Sequence, residues 1–398
     1  MGRSGGGQRC PGGDRRWRLR GLYTSLALAD RRPHPPILLI EPNERFLFLP
    51  LLYELLSGEL RSWEIAPRYD SLLAGRGVAW LRDRVVRVDA ERHCLQTAQG
   101  RELAYGRLVL ATGARPESFG VPGVSEHALG FRSLADVERL QALVERLRLE
   151  RRPLQRLAVI GGGPTGVELA CKLADLLGDA AVIELIEQGG ELLASGRSFN
   201  REQALAALQR KDVRLRTRTR VLAIETGAVQ LSHQAGDHEG AVLETLRVDG
   251  VIWAAGSSAS LPELQPIPPL GLGGRLTCGT DLSVVGLTDV FALGDGALVH
   301  DDDERPLPAT AQVAFQQAEL LARNLLHSFA GEPLEPFHWN DLGEMVSLGV
   351  GNASLTGLGF TLAGPTAFRL RQIAYLARLP GLPHQLKVAA GWLSDLSR

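Results

Sequence analysis

At 398 residues the chain is long enough for two domains with separate cores and an appendage, because single cores stop growing at roughly 250–300 residues. Its 44 basic and 45 acidic residues leave a net charge of −1, which removes the electrostatic case for nucleic acid and makes a small-molecule substrate the expected partner. Four scattered cysteines, Cys10, Cys94, Cys171 and Cys278, form no CxxC or CxxxxC pair, so neither a metal cluster nor redox-disulfide chemistry is expected.

The chain opens on an Arg- and Gly-rich string ending Arg15-Arg16-Trp17-Arg18-Leu19-Arg20-Gly21, which cannot make a buried apolar strand. A helical pattern resumes at Leu22-Tyr23-Thr24-Ser25-Leu26-Ala27. Short apolar runs then recur at Ile37 to Ile40, Leu108 to Leu110, Leu157 to Ile160, Val182 to Ile186, Val251 to Ala254 and Val290 to Leu293, each closed by glycine or acid or followed by a helical stretch. Such alternation predicts an α/β protein with largely parallel sheets. Leu134 to Arg152 reads as a charged amphipathic helix or linker, and Pro262 to Gly274 as a loop. No run of about 18 apolar residues occurs and no signal-peptide pattern precedes the fold, so the expected protein is cytosolic or peripheral to a membrane.

The strongest chemical signal follows Leu157-Ala-Val-Ile160. There Gly161-Gly162-Gly163-Pro164-Thr165-Gly166 places a GxGxxG spacing where a strand turns into a helix. Gly161 permits the turn, Gly163 allows backbone approach to a pyrophosphate, and Gly166 lets helix pack on strand. The next strand ends at Glu187, roughly 20 residues on, where a carboxylate grips a ribose 2′-hydroxyl and repels a 2′-phosphate. Dinucleotide binding with NADH favoured over NADPH is the expectation.

Thr288-Asp289-Val290-Phe291-Ala292-Leu293-Gly294-Asp295 is a strand running into Gly-Asp, and it resembles the second FAD motif of two-dinucleotide flavoproteins, in which the aspartate binds the ribityl chain. Ala111-Thr112-Gly113 and Ala254-Ala255-Gly256 match the two crossover turns of that architecture. Such enzymes carry a first GxGxxG near the N-terminus with an acid about 20 residues on. Glu41 is that acid, but no glycine loop precedes it. Read one base later, however, the codons of Asp14 through Gly21 can encode Ile-Ala-Gly-Gly-Gly-Phe-Gly, and those of Cys10 through Gly13 can encode Val-Leu-Val-Val. A shifted reading frame, restored near Leu22, is one expectation for this stretch; an authentic basic arm, with poor FAD binding, is the other.

Ala311-Gln312-Val313-Ala314-Phe315-Gln316-Gln317 resembles the AQxAxQQ signature at the quinone site of type II NAD(P)H:quinone oxidoreductases, and the resemblance covers nearly the whole chain from Gly21. Phe46 to Leu55, Trp63 to Pro67, Leu342 to Met345 and Gly357 to Gly359 look like the cyanobacterial demethylphylloquinone reductase group within that family. The resemblance implies two Rossmann-like dinucleotide-binding domains: an FAD domain at 1–118 and 258–332, an NAD(P) domain at 119–257, and a C-terminal segment at 333–398. It implies FAD and NAD(P)H as cofactors, a prenylated quinone such as demethylphylloquinone or plastoquinone as acceptor, and ping-pong two-electron transfer. Gln316 and Gln317 take the quinone side, and Glu168 a proton-relay role, unless it is an ordinary first-turn acid held by the helix dipole.

From Thr366 to Leu379, Phe368, Leu370, Ile373, Leu376 and Leu379 alternate with Arg369, Arg371 and Arg378, with Lys387 and Trp392 beyond. That pattern suits either a membrane interface on the cytoplasmic face of a thylakoid or plasma membrane, or packing on the protein itself or on a homodimer mate. Two rival functions remain open: a soluble flavin reductase serving a protein acceptor, and a flavin-free NAD-binding remnant.

Overall fold

The computed structural model describes residues 20–234 and 241–396; of the stretch carrying the reading-frame expectation, Cys10 to Gly21, the residues up to Leu19 lie outside them. Helix α1 (Arg20–Ala29) leads into β1 (Ile37–Ile40), which pairs in parallel with β2 (Val78–Leu81). Between them the chain folds back through short helical turns at residues 49–73, which bury Phe46, Phe48, Leu51, Leu52 and Ile65 completely or nearly so. A four-stranded sheet at residues 85–104 and 263–265 lies alongside, and β3 (Leu108–Leu110) then brings the chain to the first crossover.

The inserted domain is a five-stranded parallel sheet. Its strands are β4 (Ala128–Leu129), β5 (Arg156–Ile160), β6 (Val182–Ile186), β7 (Arg214–Arg216) and β8 (Gly250–Trp253), in spatial order β7-β6-β5-β8-β4. Leu157, Ala158, Val159, Leu185 and Ile252 are fully buried, as a parallel sheet covered on both faces demands. The charged stretch from Leu134 is a helix, α2 (Leu134–Glu150), started by the Ser133 hydroxyl, which accepts from the Asp136 amide at 2.8 Å. Helix α3 (Pro164–Leu177) begins on Gly163 with proline in its first turn, the position where a missing N–H costs nothing. A three-stranded antiparallel ribbon at residues 219–247 completes the domain.

The chain returns through an antiparallel pair, Ala259 opposite Ala114 and Ser257 opposite Pro116, so both crossovers run side by side. Strand β9 (Val290–Ala292) then pairs in parallel with β3. Helix α4 (Ala311–Ala330) is capped by Thr310 at one end and by the left-handed Gly331 at the other. An antiparallel sheet at 344–364 precedes α5 (Pro365–Leu376) and α6 (Leu382–Leu396). Among the described residues no helix is long and apolar enough to cross a membrane.

Candidate active site

The glycine loop sits where its spacing places it. Gly161 has φ +112°, and a Cβ on Gly166 would stand 1.8 Å from the Gly161 carbonyl oxygen, so helix and strand touch backbone to backbone. A Cβ on Gly163, by contrast, would meet nothing within 4 Å, which leaves open space above the start of α3, where backbone N–H groups and the helix dipole favour a pyrophosphate. Glu187, half-buried, closes the loop from below: its carboxylate accepts the Gly162 and Gly189 amides, each at 2.6 Å. It thus fixes the loop's shape.

These two glycines separate folding from binding. Gly166→Ala is expected to cost about 1–3 kcal/mol through overpacking. Gly163→Ala should leave the melting temperature unchanged while raising the KM for the nicotinamide nucleotide roughly tenfold, about 1.4 kcal/mol of lost pyrophosphate approach. Equal KM values for Gly163→Ala and the parent would remove the loop from the nucleotide site.

The second motif also assembles. Gly294 to Gly296 form a tight turn after β9, and a Cβ on Gly296 would lie 3.4 Å from Thr112 Oγ1 and 3.5 Å from the Gly113 carbonyl, so the Gly-Asp turn and the first crossover face each other. Thr112 is buried, and its hydroxyl has no hydrogen-bond partner among the described residues, which suits a group fitted to a ligand hydroxyl. Asp295 stands half-buried in that turn, and Glu41, buried at the end of β1, accepts the Asn43 amide and side chain at 2.8 and 2.6 Å. Gly256, at φ +63°, lies at the second crossover under the ring of Phe119. The orphaned hydroxyl, the acid in the Gly-Asp turn and the acid ending β1 fit the ribityl and ribose ends of FAD.

The glutamine helix joins this cradle from one side only. Gln317 is buried and accepts the Gly294 amide at 2.7 Å, so it shapes the Gly-Asp turn. Gln312 and Gln316 point elsewhere: Gln316 exchanges hydrogen bonds with the Asn340 backbone at 2.8 and 3.0 Å, and Gln312 donates to the Gly343 carbonyl at 3.0 Å. Both clamp the segment at 339–343. Ala311 opens α4 as its first residue.

Glu168, in the first turns of α3, is buried and accepts the Ser347 amide at 2.8 Å. Burial pushes its carboxyl up to about 6, against the opposing pull of the Arg371 guanidinium 3.7 Å away. Arg371 itself is only 1% exposed, is ion-paired with the fully buried Glu54, donates to the Pro50 carbonyl at 2.9 Å and lies over the Tyr375 ring. Tyr53 completes the cluster, its hydroxyl pushed well above the ordinary phenol range by burial and then by Glu168. Sequence reading missed Arg371, Glu54 and Tyr53 as a group. The available signal was spacing: Phe368, Arg371 and Tyr375 recur at one face of a helix.

Of the two readings of the C-terminal stripe, packing on the protein itself accounts for part of it. Phe368 and Leu379 are buried against the protein, Arg371 is an internal ion, Lys387 lies over the Trp63 ring and Trp392 donates to Glu64 at 2.9 Å. Leu370, Ile373, Leu382, Leu386 and Leu393 remain exposed.

The pyridine nucleotide-disulphide oxidoreductase family profile matches residues 21–318. The chain is 38% identical to a demethylphylloquinone reductase of Synechocystis sp., over 94% of this chain and 93% of that protein. It is 34% identical to the alternative NAD(P)H-ubiquinone oxidoreductase C1 of Arabidopsis thaliana, over 94% of this chain and 78% of the other. The fold superposes on NDH2 from Plasmodium falciparum, solved with NADH, with a TM-score of 0.82 at 17% identity, over 93% of this chain and 95% of that one. With its two dinucleotide cradles in the order that architecture requires, the chain belongs to the pyridine nucleotide-disulphide oxidoreductase family, in its type II NAD(P)H:quinone oxidoreductase branch.

Proposed function

We propose that the protein is an FAD-dependent NAD(P)H:quinone oxidoreductase that works at a membrane surface, with an FAD domain at 1–118 and 258–332, an NAD(P) domain at 119–257 and a C-terminal segment at 333–398. The observation that carries the reading is the buried Glu168 cluster, set on the nicotinamide-domain helix yet packed against the C-terminal segment, in a chain 38% identical over nearly its whole length to a demethylphylloquinone reductase. Bound FAD supplies a two-electron relay between nicotinamide and quinone. The protein's share is positional. The Gly163 loop and Glu187 hold the nucleotide, Thr112 and Asp295 orient the flavin's ribityl chain, Gln317 holds the Gly-Asp turn in place, and Glu168, protonated below about pH 6, offers a proton to the quinone as it is reduced.

Steady-state assay of FAD-loaded protein with NADH and a short-chain naphthoquinone tests this: parallel lines in double-reciprocal plots and a kcat/KM at least about tenfold higher with NADH than NADPH are expected, since Glu187 repels a 2′-phosphate. Nicotinamide-reduced flavin that quinone fails to reoxidise would overturn the acceptor assignment, and an NADPH preference the Glu187 argument.

For the membrane, the exposed leucines and Ile373, flanked by Arg369, Arg378 and Lys387, form the contact. Because α5 also holds the buried Arg371, removing the segment would damage the fold, so point changes are the fair test. Ile373→Glu with Leu386→Glu should release about 90% of the protein from anionic vesicles in sedimentation, each change removing roughly 1.5–3 kcal/mol of apolar insertion. Unchanged sedimentation would leave this face to a protein partner or a homodimer.

A further inference from the structure

An apolar slot lies between β1 and β3 and opens at one end on the flavin cradle. It is a cavity of about 440 Å³ that runs the full length of both strands, from Pro35 and Gly106 at one end to Glu41 and Thr112 at the other. Among the described residues β1 pairs only with β2, and β3 only with β9, so no described strand pairs with the two facing edges, whose backbone donors and acceptors need partners. The walls are core-type side chains: Leu38 is 47% exposed, and Ile37, Leu39, Leu108 and Val109 are only half-buried.

The inserted domain shows what such a slot is for. There β6 ends on Glu187 and pairs on its outer edge with β7, as β1 ends on Glu41 and pairs with β2. Strand β5 fills the space between β6 and β8, feeds the glycine loop, and leaves its neighbours Ile183, Leu185 and Val251 buried. Gly21 stands to α1 as Gly166 stands to α3, and Glu41 follows Gly21 at nearly the interval by which Glu187 follows Gly166. A Cβ on Gly21 would lie 3.4 Å from Ala111 Cβ and 3.5 Å from Leu39 Cδ1, so the start of α1 stands between the two walls of the slot. The family profile begins at that same Gly21.

We infer that the slot between β1 and β3 receives a parallel strand and glycine loop that the gene encodes between Cys10 and Gly21 in the adjacent reading frame. A strand made of the residues as written would put Asp14, Arg15, Arg16 and Arg18 there, and burying unpaired charges costs several kcal/mol each. Read one base later, Cys10 to Arg20 become Val-Leu-Val-Val-Ile-Ala-Gly-Gly-Gly-Phe-Gly. Six apolar residues then span about 20 Å of strand, and the last glycine of the GxGxxG spacing is Gly21 itself. The inference concerns the strand; FAD enters only as the ligand whose pyrophosphate that loop would hold.

The nucleotide sequence tests it first. The shifted loop has its two leading glycines only if the codons of Arg16 and Arg18 both end in GG; any other third base at either position overturns the proposal. Second, the chain as written and a chain with Cys10 to Arg20 replaced by the eleven shifted residues are purified side by side. The replaced chain is expected to melt about 5 °C or more higher, to exclude anilinonaphthalene sulfonate, and to slow amide exchange at Leu39 and Val109 by at least about 100-fold. It should also retain at least about tenfold more FAD, which with the loop amides in place corresponds to about 1.4 kcal/mol or more. Equal melting, dye binding and exchange in the two chains would overturn the strand. A replaced chain that gains stability and excludes dye without taking up FAD upholds the strand and counts against the flavin reading alone.

Discussion

Replacing Arg371 with alanine is expected to cost about 3–5 kcal/mol of stability, because it leaves the Glu54 carboxylate buried without its counter-charge. The size follows from what surrounds the guanidinium. Glu54 is fully buried, and among the described residues its second carboxylate oxygen has no hydrogen-bond partner, so the charge leans on Arg371. Arg371 also ties α5 to the turns at residues 49–56 through Pro50, so its loss loosens the C-terminal segment from the first domain. Denaturant unfolding measures the cost, and the double change Arg371→Met with Glu54→Leu should recover most of it, since apolar replacement of both members of a buried pair is often neutral or better. A loss under about 1 kcal/mol in Arg371→Ala would mean that water reaches Glu54 and that the cluster is solvated in solution.

The parallel framework was legible because apolar runs ending in glycine or acid have few other uses. Each run read as a strand is one, and Gly161 to Gly166 sits on the turn its spacing requires. The antiparallel pieces at residues 85–104, 219–247 and 344–364 were not legible. They are short or one-sided strands whose alternation is diluted by charged residues such as Arg87, Arg220 and Glu244, and they draw their register from the neighbours they pair with. Side-chain direction was the other blind spot. The string AQxAxQQ names its glutamines but not their targets, and only packing reveals that Gln317 holds Gly294 while Gln312 and Gln316 hold the segment at 339–343. Arg371 failed for a related reason: an arginine among leucines reads as an interfacial cation, and its partner Glu54 lies more than 300 residues away. Long-range ion pairs leave no local pattern.

The Glu168→Gln variant carries the mechanism. Folding raises the Glu168 carboxyl from its ordinary 4.5 to about 6, chiefly by burial, so the folded protein holds this proton more tightly than the unfolded chain. Its contribution to stability is therefore fully present below about pH 4.5 and is lost as pH rises through about 6, a change of about 2 kcal/mol. Glutamine cannot ionise, still accepts the Ser347 amide, and should flatten that part of the stability profile. In catalysis the protonated acid is the useful form, since a quinone becomes a hydroquinone only by gaining protons along with its electrons. Quinone-dependent kcat should then fall as pH rises through about 6, and Glu168→Gln should lose both that limb and roughly 100-fold in kcat, with the KM for NADH nearly unchanged. Arg371 supplies a second reading of the same group. Its attraction holds the carboxyl below where burial alone would put it, so a folded Arg371→Met variant should shift the kinetic limb to higher pH. If Glu168→Gln flattens the stability profile yet keeps kcat within about threefold of the parent, the carboxyl is a buried structural acid and the quinone's protons arrive by another path.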